Sequence, residues 1–70
     1  MNYDQLPSGL RRLGGEIREV RKARGLTLQD MSDAVSCSVA YLSRIERGSA
    51  RVSSELLTEI SAALAVDTEW

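Results

Sequence analysis

Three residues, Ser36-Cys37-Ser38, separate two short stretches that each carry the apolar spacing of a helix. The first runs over about Leu28 to Val35, with Met31, Ala34 and Val35 on its inner face. Thr27 and Asp30 ahead of it form a Thr-x-x-Asp pattern, a candidate capping box in which Asp stands in for the usual Glu. Ser38 is placed to cap the second stretch, about Val39 to Arg47, where Leu42 and Ile45 point inward and Tyr41 partly so. Gly48 ends it. Two short helices joined this closely, the second opened by a capping serine, make a helix-turn-helix unit.

The flanking segments read as further helices. Leu13, Ile17, Val20 and Arg24 share one face of a helix expected from near Leu10 to Arg24, with Gly25 at its C-terminal stop. Gly14 and Gly15 weaken the first turn of that helix. Residues 1–9, with Pro7 as a breaker, are expected to be a flexible start, and 10–70 the domain. After the polar loop Ser49-Ala50-Arg51-Val52, Ser53 can cap a helix that carries Leu56, Leu57, Ile60, Ala63 and Leu64 inward. Asp67 resembles another N-cap, and the sequence given reaches Trp70 where a fifth helix would begin. No segment reads as a strand, so the expectation is a compact all-α domain of four to five helices.

Size and composition narrow the function. A chain of 70 residues buries only about 60% of its unfolded surface, so its core is thin and a deep catalytic cavity is not expected. At 43% hydrophobic residues it is too apolar to be disordered. No apolar run approaches the roughly 18 residues of a membrane span, and the N-terminus lacks the layout of a signal peptide, so a cytoplasmic protein without membrane contact is expected. Cys37 is the single cysteine and histidine is absent. Within one chain that excludes a disulfide, a zinc site of Cys and His ligands, and Cys–His or Ser–His catalysis. Glu16, Glu19, Glu55 and Glu59 lie at helical spacings and read as solvated faces rather than a general acid and base. Gly14-Gly15 lacks the rest of any phosphate loop. No enzyme activity, cofactor or metal is expected.

The net charge of −1 conceals a segregation. All nine Lys and Arg lie in Arg11 to Arg24 and Arg44 to Arg51, which hold only three acids, Glu16, Glu19 and Glu46. Such a field can bind a polyanion on one face despite a neutral total. On charge alone, two solvated helix faces are an equal reading.

The residues go further. Gly25-Leu26-Thr27-Leu28-Gln29-Asp30-Met31, followed by Tyr41-Leu42-Ser43-Arg44-Ile45-Glu46-Arg47-Gly48, resembles the Xre, or phage-repressor-like (lambda-repressor-like), family of helix-turn-helix domains. Ser43 to Gly48 is the most specific part, and Ala63-Leu64-Ala65-Val66 agrees in register. The resemblance implies a five-helix fold whose second and third helices bind DNA. Three positions depart from the family. Ser32 stands where alanine is common, and its hydroxyl would bond back to the Leu28 carbonyl. Ser36 stands where glycine is common, at a cost of roughly 1 kcal/mol if its φ is positive. Val52 stands where proline is common, which would leave that loop freer.

By the same resemblance the third helix, residues 38–47, enters the major groove, and the base-reading positions fall on Val39, Ala40 and Arg44, with Ser43 as neighbour. Arg44 can bond guanine O6 and N7, while Val39 and Ala40 can pack on thymine methyls. Specificity beyond that contact would come from DNA shape. Phosphate contacts are implied at Thr27, Leu28 and Gln29, where the start of the second helix offers free N–H groups, at Ser38, and at Arg47, Ser49, Arg51 and Ser53. The plain alternative for the arginines is a solvated surface. Arg21 and Glu46 match a pair of positions the family joins in a partly buried ion pair. Cys37 matches a small core position at the turn, and Trp70 a core or interface position.

The expected partner is double-stranded DNA, an inverted-repeat operator bound by a homodimer, with the protein acting as a transcriptional regulator, a repressor by preference. A lone module of this size should be monomeric and weak on DNA, or dimerise only when bound. A longer regulator with a C-terminal domain is one extension of this reading. A protein-interaction module, such as an antitoxin or adaptor, is the rival; Glu55, Glu59, Asp67 and Glu69 would be its partner face.

Overall fold

The computed structural model describes residues 7–65. Four helices follow one another: α1 (Pro7–Ala23), α2 (Leu28–Ala34), α3 (Val39–Glu46) and α4 (Ser54–Leu64). No strand occurs among the described residues. Asp67, Trp70 and the start of a fifth helix lie outside them.

The caps explain the boundaries. Thr27 is extended and its side chain accepts from the Asp30 N–H, while Asp30 accepts from the Thr27 N–H at 2.9 Å, a complete capping box. Ser38 accepts from the Tyr41 N–H and Ser53 from the Leu56 N–H, each at 3.1 Å. Helix α1 starts earlier than its apolar spacing suggested. Pro7 opens the helix instead of breaking the chain before it, because proline's fixed φ suits a first helical turn, where its missing N–H costs nothing. The helix closes at Ala23, one residue before the expected Arg24.

Ten side chains make the core: Leu13 and Ile17 of α1, Met31 and Val35 of α2 and its cap, Leu42 and Ile45 of α3, Ala50 and Val52 of the loop, and Ile60 and Leu64 of α4. Val20, Tyr41, Leu56, Leu57 and Ala63 pack against it, partly buried. Helix α3 rests on α1 and α2, and α2 also touches α4. Ala34, expected on the inner face of α2, is exposed. Ser61, which the apolar pattern passed over, is buried.

Gly14 does more than weaken α1. A Cβ on it would sit 2.2 Å from the Ile45 carbonyl oxygen and 2.8 Å from that of Glu46. Only a bare Cα lets α1 lie this close to the end of α3. Gly48 ends α3 at φ +76° with Arg11 directly against it.

The turn between α2 and α3 differs from expectation in two respects. Ser36 does not have a positive φ, so it carries no left-handed penalty; its N–H donates to Glu59 Oε1 on α4 at 2.7 Å. Glu59 is therefore tied to the turn and is not part of a freely solvated face. The Ser32 hydroxyl donates forward to the Cys37 carbonyl at 2.8 Å, not back to Leu28. The loop before α4 is also anchored rather than free. Ala50 and Val52 are buried, and the Tyr41 hydroxyl donates to the Arg51 carbonyl at 2.7 Å. The Arg24 guanidinium donates to the Leu64 carbonyl, joining the end of α1 to the end of α4.

Candidate nucleic-acid interface

The outer side of α3 and its C-cap presents Ala40, Arg44 and Arg47 exposed, with Val39 and Ser43 half-buried beside them. The single acid within α3, Glu46, is turned away. Its carboxylate accepts from Arg21 Nε at 2.7 Å and from Arg21 Nη2 at 3.1 Å, and Arg21 Nη1 donates to the Leu26 carbonyl at 2.7 Å. The two side chains are only 10% and 7% exposed. Hydrogen bonding to Glu46 raises the Arg21 pKa against the opposing effect of burial, so the guanidinium stays charged. This fork fixes the roll of α3 against α1 and removes a negative charge from the exposed face.

Arg44 is folded back toward the loop. Its guanidinium lies 5.8 Å from the centre of the Tyr41 ring, and Nη2 reaches the Ser49 carbonyl at 3.4 Å, a long and weak bond. The Ser49 hydroxyl donates to the Arg44 carbonyl at 3.1 Å. Tyr41 thus links α3 to the loop through its hydroxyl and supports Arg44 with its ring, a role that the apolar pattern alone does not reveal. Arg47, Ser49, Arg51 and Ser53 are exposed along the same end of the domain.

The hydroxyls of Thr27, Ser38 and Ser53 accept cap bonds. Each keeps its own O–H proton for another acceptor. Gln29 Nε2 donates to Asp33 Oδ1 at 3.0 Å, so its amide would have to leave Asp33 to meet a ligand. Leu28 is half-buried at the edge of a cleft lined also by Arg18, Arg21, Ser43, Glu46 and Arg47. Arg18 was not among the residues that the motif suggested, although it lies three residues from Arg21. Cys37 is half-buried against the core. Burial first, and Glu59 second, push its thiol pKa up, which opposes thiolate chemistry.

Four helices, the second and third joined by a short turn with the exposed side of the third facing outward, define the helix-turn-helix class. A helix-turn-helix family model matches residues 17–70, and the chain belongs to that family, in its Xre or lambda-repressor-like form. It is 46% identical over 52 residues to the transcriptional regulator ClgR of Mycobacterium tuberculosis, covering 74% of this chain and 46% of that protein. It is 44% identical over 46 residues to the HTH-type transcriptional regulator DdrOP3 of Deinococcus deserti, covering 66% of this chain and 36% of that one. The chain therefore spans less than half the length of these curated relatives. Among solved structures, the clp gene regulator ClgR of Corynebacterium glutamicum superposes with a TM-score of 0.80 at 39% identity, over 84% of this chain and 77% of that one. The restriction-modification controller protein C.AhdI of Aeromonas hydrophila gives 0.84 at 26% identity, over 87% and 92%.

Proposed function

We propose that this chain binds double-stranded DNA in a sequence-dependent manner as a transcriptional regulator, with α3 in the major groove. The observation that carries the reading is the disposition of charge on α3. Its one acid is locked to Arg21, while Arg44 and Arg47 stand on the exposed side. The family and the regulatory relatives support the same reading.

In this scheme Arg44 swings off Tyr41 and Ser49 to bond guanine O6 and N7, the commonest specific contact of an arginine. Val39 and Ala40 pack on thymine methyls, and Ser43 lies beside them. Thr27, Leu28 and Gln29 at the start of α2, Ser38 at the start of α3, and Arg47, Ser49, Arg51 and Ser53 around the loop hold phosphates. Those contacts set register and carry no sequence information. Two copies meeting an inverted repeat place their α3 helices about one helical turn apart. The protein works in the cytoplasm, as a repressor where its site overlaps a promoter, and performs no catalysis.

Selection from a random duplex library, with wild type and Arg44→Ala compared at one salt concentration, tests this. The expected result is a palindrome with a guanine at one fixed place per half-site, relaxed in Arg44→Ala at a cost of about 1–3 kcal/mol. If no sequence is enriched, specific readout is wrong, and a protein partner for the same fold becomes the reading to pursue.

A further inference from the structure

We propose that Arg18, on α1 and outside the helix-turn-helix unit, joins Arg47, the C-cap of α3, in gripping one phosphate of the DNA backbone. The inference rests on the DNA-binding reading above and adds a residue to it.

The two arginines line one cleft of about 200 Å³ between α1, the start of α2 and α3. The Arg21–Glu46 pair also lines the cleft and is electrically neutral as a unit. Arg18 and Arg47 are both exposed, and neither side chain has a hydrogen bond or ion pair among the described residues. Of the acids beside Arg18 in sequence, Glu16 lies 3.6 Å from Arg12, and neither Glu16 nor Glu19 forms an ion pair with Arg18. The cleft therefore holds two arginine side chains that no acid pairs with among the described residues, and Ser43 adds a hydroxyl donor at its edge.

Its position identifies the anion. Ser43 on α3 and Arg47 at its C-cap are four residues apart, in a row beside Ala40 and Arg44. An anion held by Arg18 and Arg47 thus lies at the margin of the surface that would enter the groove, where a backbone phosphate runs. Arg18 reaches it from a helix that Gly14 holds hard against α3. The contact would brace the recognition helix from α1.

The test is the salt dependence of duplex binding between 50 and 200 mM salt, for wild type, Arg18→Ala, Arg18→Lys and Arg12→Ala. Each phosphate contact contributes about 0.9 to the slope of log affinity against log salt. Arg18→Ala should lower the slope by about 1 and weaken selected and scrambled duplexes by the same factor. Arg18→Lys should restore most of that slope, and Arg12→Ala, which removes the same charge away from the cleft, should leave it at the wild-type value. Thermal unfolding of Arg18→Ala should match wild type. An unchanged slope in Arg18→Ala, or equal losses in Arg18→Ala and Arg12→Ala, overturns this inference while leaving DNA binding intact. Wild type that binds no duplex overturns both. Titrating inorganic phosphate against the Arg18 and Arg47 Nε–H resonances would then show whether the cleft takes a free anion instead.

Discussion

The Ser36 backbone N–H donates to the Glu59 carboxylate at 2.7 Å, so α4 holds the turn that joins α2 to α3. The bond spans 23 residues and reaches the one segment whose geometry sets the angle between the two motif helices. Removing the acceptor leaves a turn N–H that only water can satisfy. Glu59→Ala should destabilise the domain by about 1 kcal/mol, near the usual net value of one hydrogen bond. Glu59→Gln keeps an acceptor and should lose less. Urea unfolding gives the energies, and faster amide exchange at Ser36 in Glu59→Ala would locate the loss at the turn. Exchange at Ser36 equal to wild type would show that the bond does not hold the turn in solution.

The Arg21–Glu46 fork predicts non-additive energetics. Its partners are nearly buried, so a single deletion strands the other charge. Arg21→Ala should cost about 3–5 kcal/mol. Replacing both, as Arg21→Met with Glu46→Leu, should cost much less than the two single changes combined, because no buried charge is left unpaired. A double-mutant cycle by denaturant unfolding measures the coupling directly.

The two adjacent glycines of α1 should respond in opposite directions. Gly14→Ala drives a methyl into the Ile45 carbonyl and forces α1 and α3 apart, at a cost of at least about 1–3 kcal/mol. Gly15 has nothing within 4 Å of its Cβ position. Gly15→Ala should stabilise by about 0.5–1 kcal/mol through helix propensity alone. Thermal unfolding of both variants checks the sign, and similar shifts in the two would contradict the close contact at Gly14.

Acid should weaken the start of α2. The Thr27 backbone N–H, and then the Thr27 hydroxyl, lower the Asp30 pKa below its usual 3.8. Because the folded value lies below the unfolded one, the contribution is present above about pH 4 and disappears as pH falls through the folded value. Asp30→Asn should remove this part of the pH dependence between pH 5 and 2, leaving the slopes of the other carboxylates. Unfolding midpoints across that range supply the measurement.

The sequence by itself determined the helices, their caps and the closeness of α2 to α3. Thr27, Ser38 and Ser53 act on N–H groups three residues away, and apolar spacing selects a buried face for each helix, so both signals are local. Only the tertiary structure decided the rest. Ser36 and Glu59 lie 23 residues apart, and nothing in their spacing announces a bond. Arg21 and Glu46, 25 apart, were joined in the sequence only by the family resemblance, and their near burial and forked geometry come from the docking of α1 on α3. Gly14 resembles a weak point in a helix until α3 is seen against it. Val52 resembles a free loop residue until the core closes over it. Arg18 resembles any solvated arginine until the packing of α1 on α3 sets it across a cleft from Arg47. Caps and periodicity are properties of neighbouring residues, whereas these contacts exist only once separate helices have docked.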